Sequence, residues 1–391
     1  MCDTLCVVGD GRTLFAKNSD RPRAEAQLLE ALPRRVGGGE LATTHLSIAD
    51  EGASALVGSR PTWCWGVEHG VNEHRVAIGN ERVYTRDDPL AAPPALTGMD
   101  LVRLGLERAR CADEAVEVMT ELLERHGQGG RCRTDRDEAY FSSFLIADPH
   151  GAWVLETSGR SWAAARRDDG AAISNGLTLG DDWTAASVDV PVGSPFDVRR
   201  DTEHPTGPAD RRRAVTAACV ATGAAALEPA DLVSTLRHHG EQMWGHPERV
   251  GAVSPPPAGD GDEAWSVCLH LPDLGLATTA SLVAELPADP GTPLRVWAAL
   301  GSPCASIYVP LFPPVSPPML ADPQTWGRFA RLRDRVESDP AVLAEIRGEL
   351  APVETQLWVD ADAAGRDEER QRVVVAASSA AVDAALDRLS V

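Results

Sequence analysis

The pattern of apolar and polar positions at the start of the chain predicts a β-hairpin. Residues 4–8 are strand-like, Gly9-Asp10-Gly11 has strong turn chemistry, and residues 13–16 form a second strand that Pro22 ends. In an antiparallel ladder, a tight loop places residue 2 opposite residue 17, 18 or 19, depending on the turn type. We therefore expect residues 17–21 to lie beside Cys2.

Further along, strands alternate in blocks with helices. Strands are predicted at residues 43–48, 53–57, 62–66, 75–78, 143–146, 153–156, 162–165, 265–271, 277–285 and 295–300. Helical spacing covers residues 101–106, 115–123, 209–221 and 229–238. This block order favours a layered α+β fold over alternating βαβ units.

A proline-rich stretch at residues 310–318 predicts a boundary. Beyond it, residues 322–335, 340–350 and 367–389 have helical composition. We therefore predict a main domain over residues 1–312 and a small helical extension over residues 319–391.

Charge and hydropathy exclude several partners. The formal charge of −21 argues against nucleic acid, which needs a concentrated basic surface. The longest apolar runs are far shorter than the roughly 20 residues that span a bilayer, and the N-terminus lacks the features of a signal peptide. We therefore expect a cytoplasmic protein without a membrane partner, and leave open whether it forms a homo-oligomer.

The cysteines and histidines give little sign of a metal site in the sequence. The eight cysteines form no C-x-x-C pair, and scattered cysteines are mostly small buried hydrophobic residues. His238, His239 and Glu241 form a local cluster, but it closes a predicted helix, where basic side chains are common. We therefore predict neither a metal nor a cofactor.

Cys2 is the cysteine whose position needs another explanation. Removal of Met1 would leave it with a thiol and a free α-amine, whose reference pKa values are near ~8.5 and ~7.7–8.0. An amine in that range is a usable base at neutral pH and sits on the same residue as the nucleophile. Cys2 is therefore a candidate nucleophile for attack on an amide.

Lys17 and Asp20 are expected to support that nucleophile. Lys17 is the only lysine among 37 basic residues, which indicates a position that needs a compact ammonium and not a planar guanidinium. Its charge could stabilise the thiolate, while Asp20 could accept hydrogen bonds from the α-ammonium. The alternatives are a chance lysine and a plain polar turn.

Many short motifs stand in the register of a known family. They are Cys2-Asp3-Thr4-Leu5, Phe15-Ala16-Lys17-Asn18-Ser19-Asp20-Arg21, Trp63-Cys64-Trp65-Gly66, Asn72-Glu73-His74, Ile78-Gly79-Asn80-Glu81, Gly98-Met99-Asp100-Leu101-Val102-Arg103-Leu104, Ser143-Phe144-Leu145-Ile146-Ala147-Asp148, Leu155-Glu156-Thr157, Thr278-Thr279-Ala280-Ser281 and Gly301-Ser302-Pro303. Over roughly residues 1–312 the chain resembles the secernin and bacterial dipeptidase group of N-terminal-nucleophile cysteine hydrolases.

The resemblance implies a four-layer αββα sandwich that hydrolyses a C–N bond in a dipeptide, small peptide or acylated amine. It implies that Cys2 is the nucleophile, that Lys17 lies near the sulfur, and that Asp20 holds the amine. It also implies oxyanion donation by Asn80 and Asn175. The chain departs from the family pattern at Ser142, where relatives often carry Asn. Arg212 and Arg213 are both candidates for an arginine that some relatives place late in the site.

Two other functions remain compatible with these residues. One is an acyltransferase that uses the same acyl-enzyme with an amine acceptor, and the other is a non-hydrolytic secernin-like regulatory or interaction protein. A degraded copy is expected to lose the amine-binding acid or the lone lysine, whereas this chain keeps all the expected site residues together. The sequence therefore favours a hydrolase.

Overall fold

The structure is a computed structural model that describes residues 1–204, 207–240, 256 and 264–391. Its first sheet has seven antiparallel strands in the order β12-β1-β2-β15-β16-β17, with β14 paired to β15. These strands are β1 (Cys2–Gly9), β2 (Arg12–Pro22), β12 (Gly170–Ile173), β14 (His270–Leu271), β15 (Leu276–Pro287), β16 (Arg295–Leu300) and β17 (Val309–Leu311). The opening hairpin therefore lies inside this sheet, between β12 and β15.

The second sheet has eight strands in the order β13-β11-β10-β9-β8-β7-β6-β3. They are β3 (Gln27–Leu32), β6 (Leu56–Pro61), β7 (His69–Asn72), β8 (Ala77–Val83), β9 (Phe141–Asp148), β10 (Gly151–Ser158), β11 (Ser161–Arg167) and β13 (Ala185–Ala186). A separate small hairpin joins β4 (Glu40–Ala42) to β5 (Ser47–Ala49).

Seven α-helices lie within the described residues. They are α1 (Gly98–Arg108), α2 (Ala112–His126), α3 (Gly207–Thr222), α4 (Pro229–Leu236), α5 (Pro323–Ser338), α6 (Val342–Ala364) and α7 (Glu368–Arg388). A reciprocal capping box between Thr97 and Asp100 starts α1. None of these helices is long and apolar enough to cross a bilayer.

Three apolar clusters define the four layers. The inner faces of the two sheets pack together through residues such as Phe15, Phe141 and Leu282. Helices α1 and α2 cover the outer face of the second sheet, and α3 and α4 cover that of the first. The predicted αββα sandwich is confirmed.

The C-terminal helices α5 to α7 extend the core between the sheets. Phe329 of α5, Ile346 of α6 and Leu386 of α7 belong to the same buried cluster as the inner strands. A buried ion pair between Glu354 of α6 and Arg237, with oxygen and nitrogen 2.7 Å apart, fastens α6 to the end of α4. The predicted helices are confirmed, while the division at residues 312–319 stays a prediction.

Most predicted elements are present, but three predicted strands are wrong. Residues 43–48 fall mainly in the turn between β4 and β5, and residues 62–66 form a turn. At Gly66 a Cβ atom would lie 2.2 Å from the carbonyl carbon of Met99, so this turn passes directly over the start of α1. Only His270–Leu271 of the predicted strand over residues 265–271 is extended, and β3 and β7 were not predicted.

Candidate active site

The register of the opening hairpin sets the position of Cys2. A two-residue turn, Asp10-Gly11, pairs Gly9 with Arg12 and brings Cys2 opposite Ser19. Side chains alternate along each strand, so Cys2 shares with Ser19 the face between the two sheets. Asp3 and Asp20 consequently lie on the other face, toward α3. The expectation that residue 2 pairs near residues 17–19 is confirmed, at residue 19.

Cys2 is held through both its thiol and its backbone. The peptide nitrogen of Asp20 donates to Cys2 Sγ over 3.4 Å, and Glu68 Oε2 lies 3.9 Å from the same sulfur. The nitrogen of Cys2 donates to Asn175 Oδ1 at 2.9 Å. Met1 precedes it, and the Met1 amine donates to the backbone oxygen of Asp20 at 2.8 Å. Both atoms that an N-terminal nucleophile would use are therefore fixed by specific partners.

Lys17 is fully buried on the same face as the thiol. Its Nζ donates to Ser19 Oγ at 3.0 Å and lies 3.8 Å from Glu68 Oε2 and 4.0 Å from Glu81 Oε2. A Cβ at Gly79 would lie 2.6 Å from Lys17 Cδ, so the chain of the lysine passes directly over a glycine backbone. A compact ammonium on a thin stem fits this channel, as the lone lysine in the sequence indicated.

Arg212 of α3 organises the outer face of the hairpin. Its guanidinium lies 3.4 Å from both Asp3 Oδ2 and Asp20 Oδ2, and it donates to Asn175 Oδ1 at 2.5 Å. Thr278 Oγ1 donates to the other Asp20 oxygen at 2.6 Å. Of the two arginines considered from the sequence, Arg212 is therefore the one that reaches the site. The Asp20 carboxylate contacts Arg212 and Thr278, while its peptide nitrogen contacts the thiol.

Burial controls the protonation of this cluster. It raises the pKa of the Cys2 thiol to about 12, and the positive charge of Lys17 opposes this rise. Burial likewise raises the pKa of Asp3 to about 7 and that of Glu81 to about 8. Burial lowers the pKa of Lys17, but its acidic neighbours Cys2, Glu81 and Glu68 outweigh this effect and raise it overall. Lys17 therefore stays charged at neutral pH, whereas the resting thiol is protonated.

The two asparagines predicted as oxyanion donors lie in different settings. Asn175 contacts the nitrogen of Cys2 through Oδ1, and its Nδ2 donates to the backbone oxygen of Arg82 at 2.8 Å. Asn80 instead points toward α1, with Nδ2 3.5 Å from Ser142 Oγ and 4.0 Å from Met99 Sδ. No hydrogen bond among the described residues joins Asn80 to Cys2. Oxyanion donation by either residue stays a prediction.

The histidines near the N-terminus have structural partners. His69 is buried, its Nδ1 lies 3.2 Å from Ser19 Oγ, and burial holds its pKa well below the usual value. His74 Nε2 lies 3.0 Å from Ser54 Oγ, which places it away from the hairpin. His69 thus supports Ser19, which in turn binds the ammonium of Lys17.

A pocket of about 210 Å³ opens onto Cys2. Close to the sulfur its wall is formed by Met1, Asp20, Arg21 and Glu68. Arg21 Nη1 lies 2.5 Å from Glu68 Oε1 and so links the hairpin to the second sheet. The nearly buried Cys2 therefore faces a pocket of a size that admits a small substrate.

The outer part of the pocket carries an excess of positive charge. Arg82, Arg133 and Arg136, which we call the arginine rim, line it together with a single carboxylate, Glu138. All three arginines pair with Glu138, and Arg133 also pairs with Asp135. The rim therefore has one more positive than negative charge and can bind a carboxylate.

Two site residues were not singled out from the sequence for a role. Both approach Lys17 from the second sheet: Glu68 lies just before β7, and Glu81 lies on β8. Glu81 belongs to a quoted family motif, whereas nothing local distinguishes Glu68. An alternating strand pattern would have placed Glu81 on the buried face, but only the packing of the two sheets brings both to the lysine.

Part of the chain is similar to a known protein family. Residues 61–180 match the model of peptidase family C69. Among solved structures, penicillin V acylase from Agrobacterium tumefaciens is 13% identical with a TM-score of 0.41, over 81% of this chain and 87% of that chain. The C2A mutant of conjugated bile acid hydrolase from Clostridium perfringens is 11% identical with a TM-score of 0.43, over 77% of this chain and 89% of that chain.

The family match bears on the class of this protein, because the matching family is a peptidase family and peptidases hydrolyse amide bonds. The predicted class, a hydrolase acting on C–N bonds, is confirmed at that level. Residues 61–180 of this chain are thus similar to peptidase family C69, the secernin and dipeptidase family.

Proposed function

We propose that this protein hydrolyses the amide bond of a short peptide or acylated amine through an acyl-enzyme on Cys2. The observation that carries the proposal is the position of the Cys2 nitrogen. It is held by Asn175 Oδ1 at 2.9 Å, while the sulfur of the same residue lies on the pocket wall. Loss of Met1 would convert that nitrogen into an amine next to the thiol.

The first half of the reaction forms the acyl-enzyme. The α-amine of Cys2 takes the thiol proton as Sγ attacks the carbonyl carbon, and the resulting ammonium protonates the leaving nitrogen as the C–N bond breaks. The base is required because the buried thiol, with its pKa near 12, is protonated at neutral pH. Lys17 favours the thiolate as it forms, through its positive charge.

The second half of the reaction releases the acid. Water enters the space left by the departed amine, the α-amine accepts one of its protons, and the hydroxide oxygen attacks the thioester carbon. The C–S bond then breaks, and the thiol recovers the proton from the ammonium. Asn175 and Asp20 hold the amine and the sulfur in place throughout both halves.

Met1 affects the pocket as well as the amine. It lines the pocket and packs with Trp265 and Leu276 at its wall. Its removal would therefore expose the base and enlarge the space in front of the sulfur. The volume of about 210 Å³ with Met1 in place suits a small substrate, and we expect the pocket to be larger once Met1 is removed.

The arginine rim favours a substrate that bears a carboxylate on its outer end. Arg136 is partly exposed, and its ion-pair partner, Glu138, is shared with Arg82 and Arg133. A dipeptide or an N-acylated amino acid would place its free carboxylate there while its amide carbon lies at Cys2. The proposed substrate is therefore a small amide whose leaving part is an amino acid.

The first prediction concerns maturation and the nucleophile. Protein that has lost Met1 should be active and should gain one acyl group on Cys2 from a thiol-reactive amide or ester probe, as read by intact-protein mass spectrometry and peptide mapping. Cys2→Ala should show no labelling and no turnover. Cys6→Ala is the matched control, because Cys6 is buried on the same face of the strand. This variant should keep labelling and turnover close to those of the wild type.

The mechanism also makes the free amine indispensable. Protein that retains Met1, or that carries residues ahead of Cys2, should be inactive. Full activity in an N-terminally extended protein whose extension is intact would contradict the proposed base.

The second prediction concerns Lys17. Lys17→Met should raise the thiol pKa further and move the acidic limb of the pH–rate profile upward, because the charge that opposes burial is lost. It should also lower stability by about 3–5 kcal/mol, since buried carboxylates lose their cation. Lys17→Arg should keep partial activity. The thiol pKa is measured from the pH dependence of alkylation.

Because Lys17→Met is expected to be destabilised, a second variant that is more stable is needed to test the same role. Lys17→Met combined with Glu81→Gln removes one buried acid with the buried base, so it should recover part of the lost stability. Its thiol should nevertheless titrate higher than that of Glu81→Gln alone. Equal thiol pKa values in these two proteins would show that Lys17 does not act on the sulfur.

The third prediction separates the two asparagines. Asn175→Ala should change the pH dependence of the rate, because Asn175 Oδ1 is the hydrogen-bond acceptor for the Cys2 nitrogen. Asn80→Ala, if Asn80 turns toward the oxyanion when substrate binds, should lower kcat by about 10²–10³ without moving the pH limbs. Steady-state kinetics at several pH values measure both kcat and its pH dependence for the two variants. Identical pH profiles for wild type and Asn175→Ala would refute the amine-holding role.

The fourth prediction tests the arginine rim. Arg136→Gln should raise KM about fivefold for a dipeptide with a free carboxylate, as expected for one accessible ion pair, and leave KM for the corresponding C-terminal amide unchanged. Arg131→Gln is the control, because Arg131 is exposed, pairs with Asp137 and does not line the pocket. An equal rise for both substrates would exclude carboxylate recognition by the rim.

A further inference from the structure

Two cysteines and two histidines from separate segments converge away from the Cys2 thiol. His239 follows α4, Cys268 and His270 flank one residue before β15, and Cys304 lies in the 3-10 turn Pro303–Ala305. One ligand atom from each lies within 4.8 Å of every other, and all four residues are buried. None of the four has a role in the mechanism proposed for Cys2.

The spacing of these atoms fits a tetrahedral metal site. His270 Nε2 lies 3.2 Å from Cys304 Sγ and 3.5 Å from Cys268 Sγ. Zinc bonds of about 2.3 Å to sulfur and about 2.0–2.1 Å to nitrogen place neighbouring sulfur and nitrogen ligands about 3.6 Å apart at the tetrahedral angle. Small adjustments of the side chains would therefore suffice to close four bonds.

A second shell orients one of the histidines. His270 Nδ1 lies 3.1 Å from Glu337 Oε1, so the imidazole turns Nε2 toward both sulfurs. The carboxylate is itself held by Arg23, at 2.5 Å from Nη2. A carboxylate behind a ligating histidine is the usual support for a metal-binding imidazole.

We propose that His239, Cys268, His270 and Cys304 bind one zinc ion as a closed structural site. Two thiolates and two neutral imidazoles around a divalent ion give a neutral centre, which suits a fully buried position. Thiolate and imidazole ligands favour zinc over magnesium or calcium, and four protein ligands leave no open coordination position for catalysis. Binding to the two thiols releases two protons to solvent.

The same residues could instead be a metal-free hydrogen-bonded cluster, or Cys268 and Cys304 could form a disulfide. A disulfide would use only the two cysteines and would not explain why both histidine rings converge, with centroids 5.2 Å apart in an edge-to-face arrangement. These alternatives are distinguished by metal content and by the oxidation state of the thiols.

Such a site would stabilise the segment that contacts the opening hairpin. Leu269, between Cys268 and His270, donates its N–H to Thr278 Oγ1 at 2.9 Å and accepts from the Thr278 nitrogen at 3.1 Å. Thr278 is the residue that donates to Asp20 Oδ1. Zinc would thus hold the segment around Leu269 in place, and this segment positions Thr278, which in turn contacts Asp20 of the Cys2 site.

The test uses the full-length protein produced with zinc supplied and then dialysed free of loose metal. Elemental analysis should find one zinc per chain, and replacement by cobalt should give the visible bands of a tetrahedral ion with a thiolate-to-metal charge-transfer band. Cys304→Ser and His270→Gln should lose most of the bound metal. Cys219→Ser, a buried cysteine of α3 outside the cluster, should retain it.

The metal should also stabilise the fold. A strong chelator should lower the Tm of the wild-type protein, and added zinc, but not magnesium, should restore it. If Cys304→Ser and His270→Gln fail to fold, cobalt titration of chelator-stripped wild type supplies the same information. Cys2→Ala should bind zinc normally, so the outcome is independent of the proposed hydrolysis.

Two results would overturn the proposal. One is wild-type protein that holds no zinc after exposure to it and gives no tetrahedral cobalt spectrum. The other is a Cys268–Cys304 disulfide, shown by thiol counting and peptide mapping, in protein prepared under reducing conditions with zinc present.

Discussion

The pairing of Cys2 with Ser19 is the constraint on which the rest of the site depends. Because side chains alternate across a sheet, a slip of one residue in this register would move Cys2 to the α3 side and Asp3 to the space between the sheets. The turn at Asp10-Gly11 prevents that slip, since Gly11 takes a φ of +87° that favours glycine. The chemistry at Cys2 is thus fixed by a turn about eight residues away.

This register distributes the charges over both faces of one pair of strands. Between the sheets, Lys17 faces Glu68 and Glu81, and on the helical side Arg212 faces Asp3 and Asp20. Each buried cation is matched by buried acids, which is the condition under which such groups are tolerated in a core. Burial raises the pKa of Asp3 and of Glu81, which reduces the unpaired negative charge near the thiol.

Elements set by local sequence could be predicted, whereas contacts that form only when the layers pack together could not. The hairpin, the helices α1 to α4 and the placement of residues 17–21 beside Cys2 follow from turn chemistry and periodicity. Glu68 could not be recognised, because it reaches Lys17 only when the second sheet stacks on the first. The cluster at His239, Cys268, His270 and Cys304 draws on three segments with no metal-binding spacing, and Glu241, considered beside His239, lies outside the described residues.

A bulge in β15 shows how the C-terminal helices take part in the site. The pairing of β15 with β2 shifts between Thr278 and Ala280, opposite Asp20 and Ser19. Bulges re-aim side chains, and here Thr278 reaches the Asp20 carboxylate while Thr279 Oγ1 donates to the backbone oxygen of Ser19 at 3.2 Å.

The bulge leaves carbonyl groups that need partners inside the core. Trp326 Nε1 of α5 donates to the Thr279 oxygen at 3.0 Å, and Ser302 Oγ donates to the Thr278 oxygen at 3.0 Å. The Gly301 N–H also donates to the Thr279 oxygen at 2.8 Å, so the carbonyl groups of the bulge keep donors inside the core, where an unsatisfied acceptor costs roughly 1–3 kcal/mol. The helical segment after residue 319 therefore supports β15, the strand that pairs with β2 on the side away from Cys2.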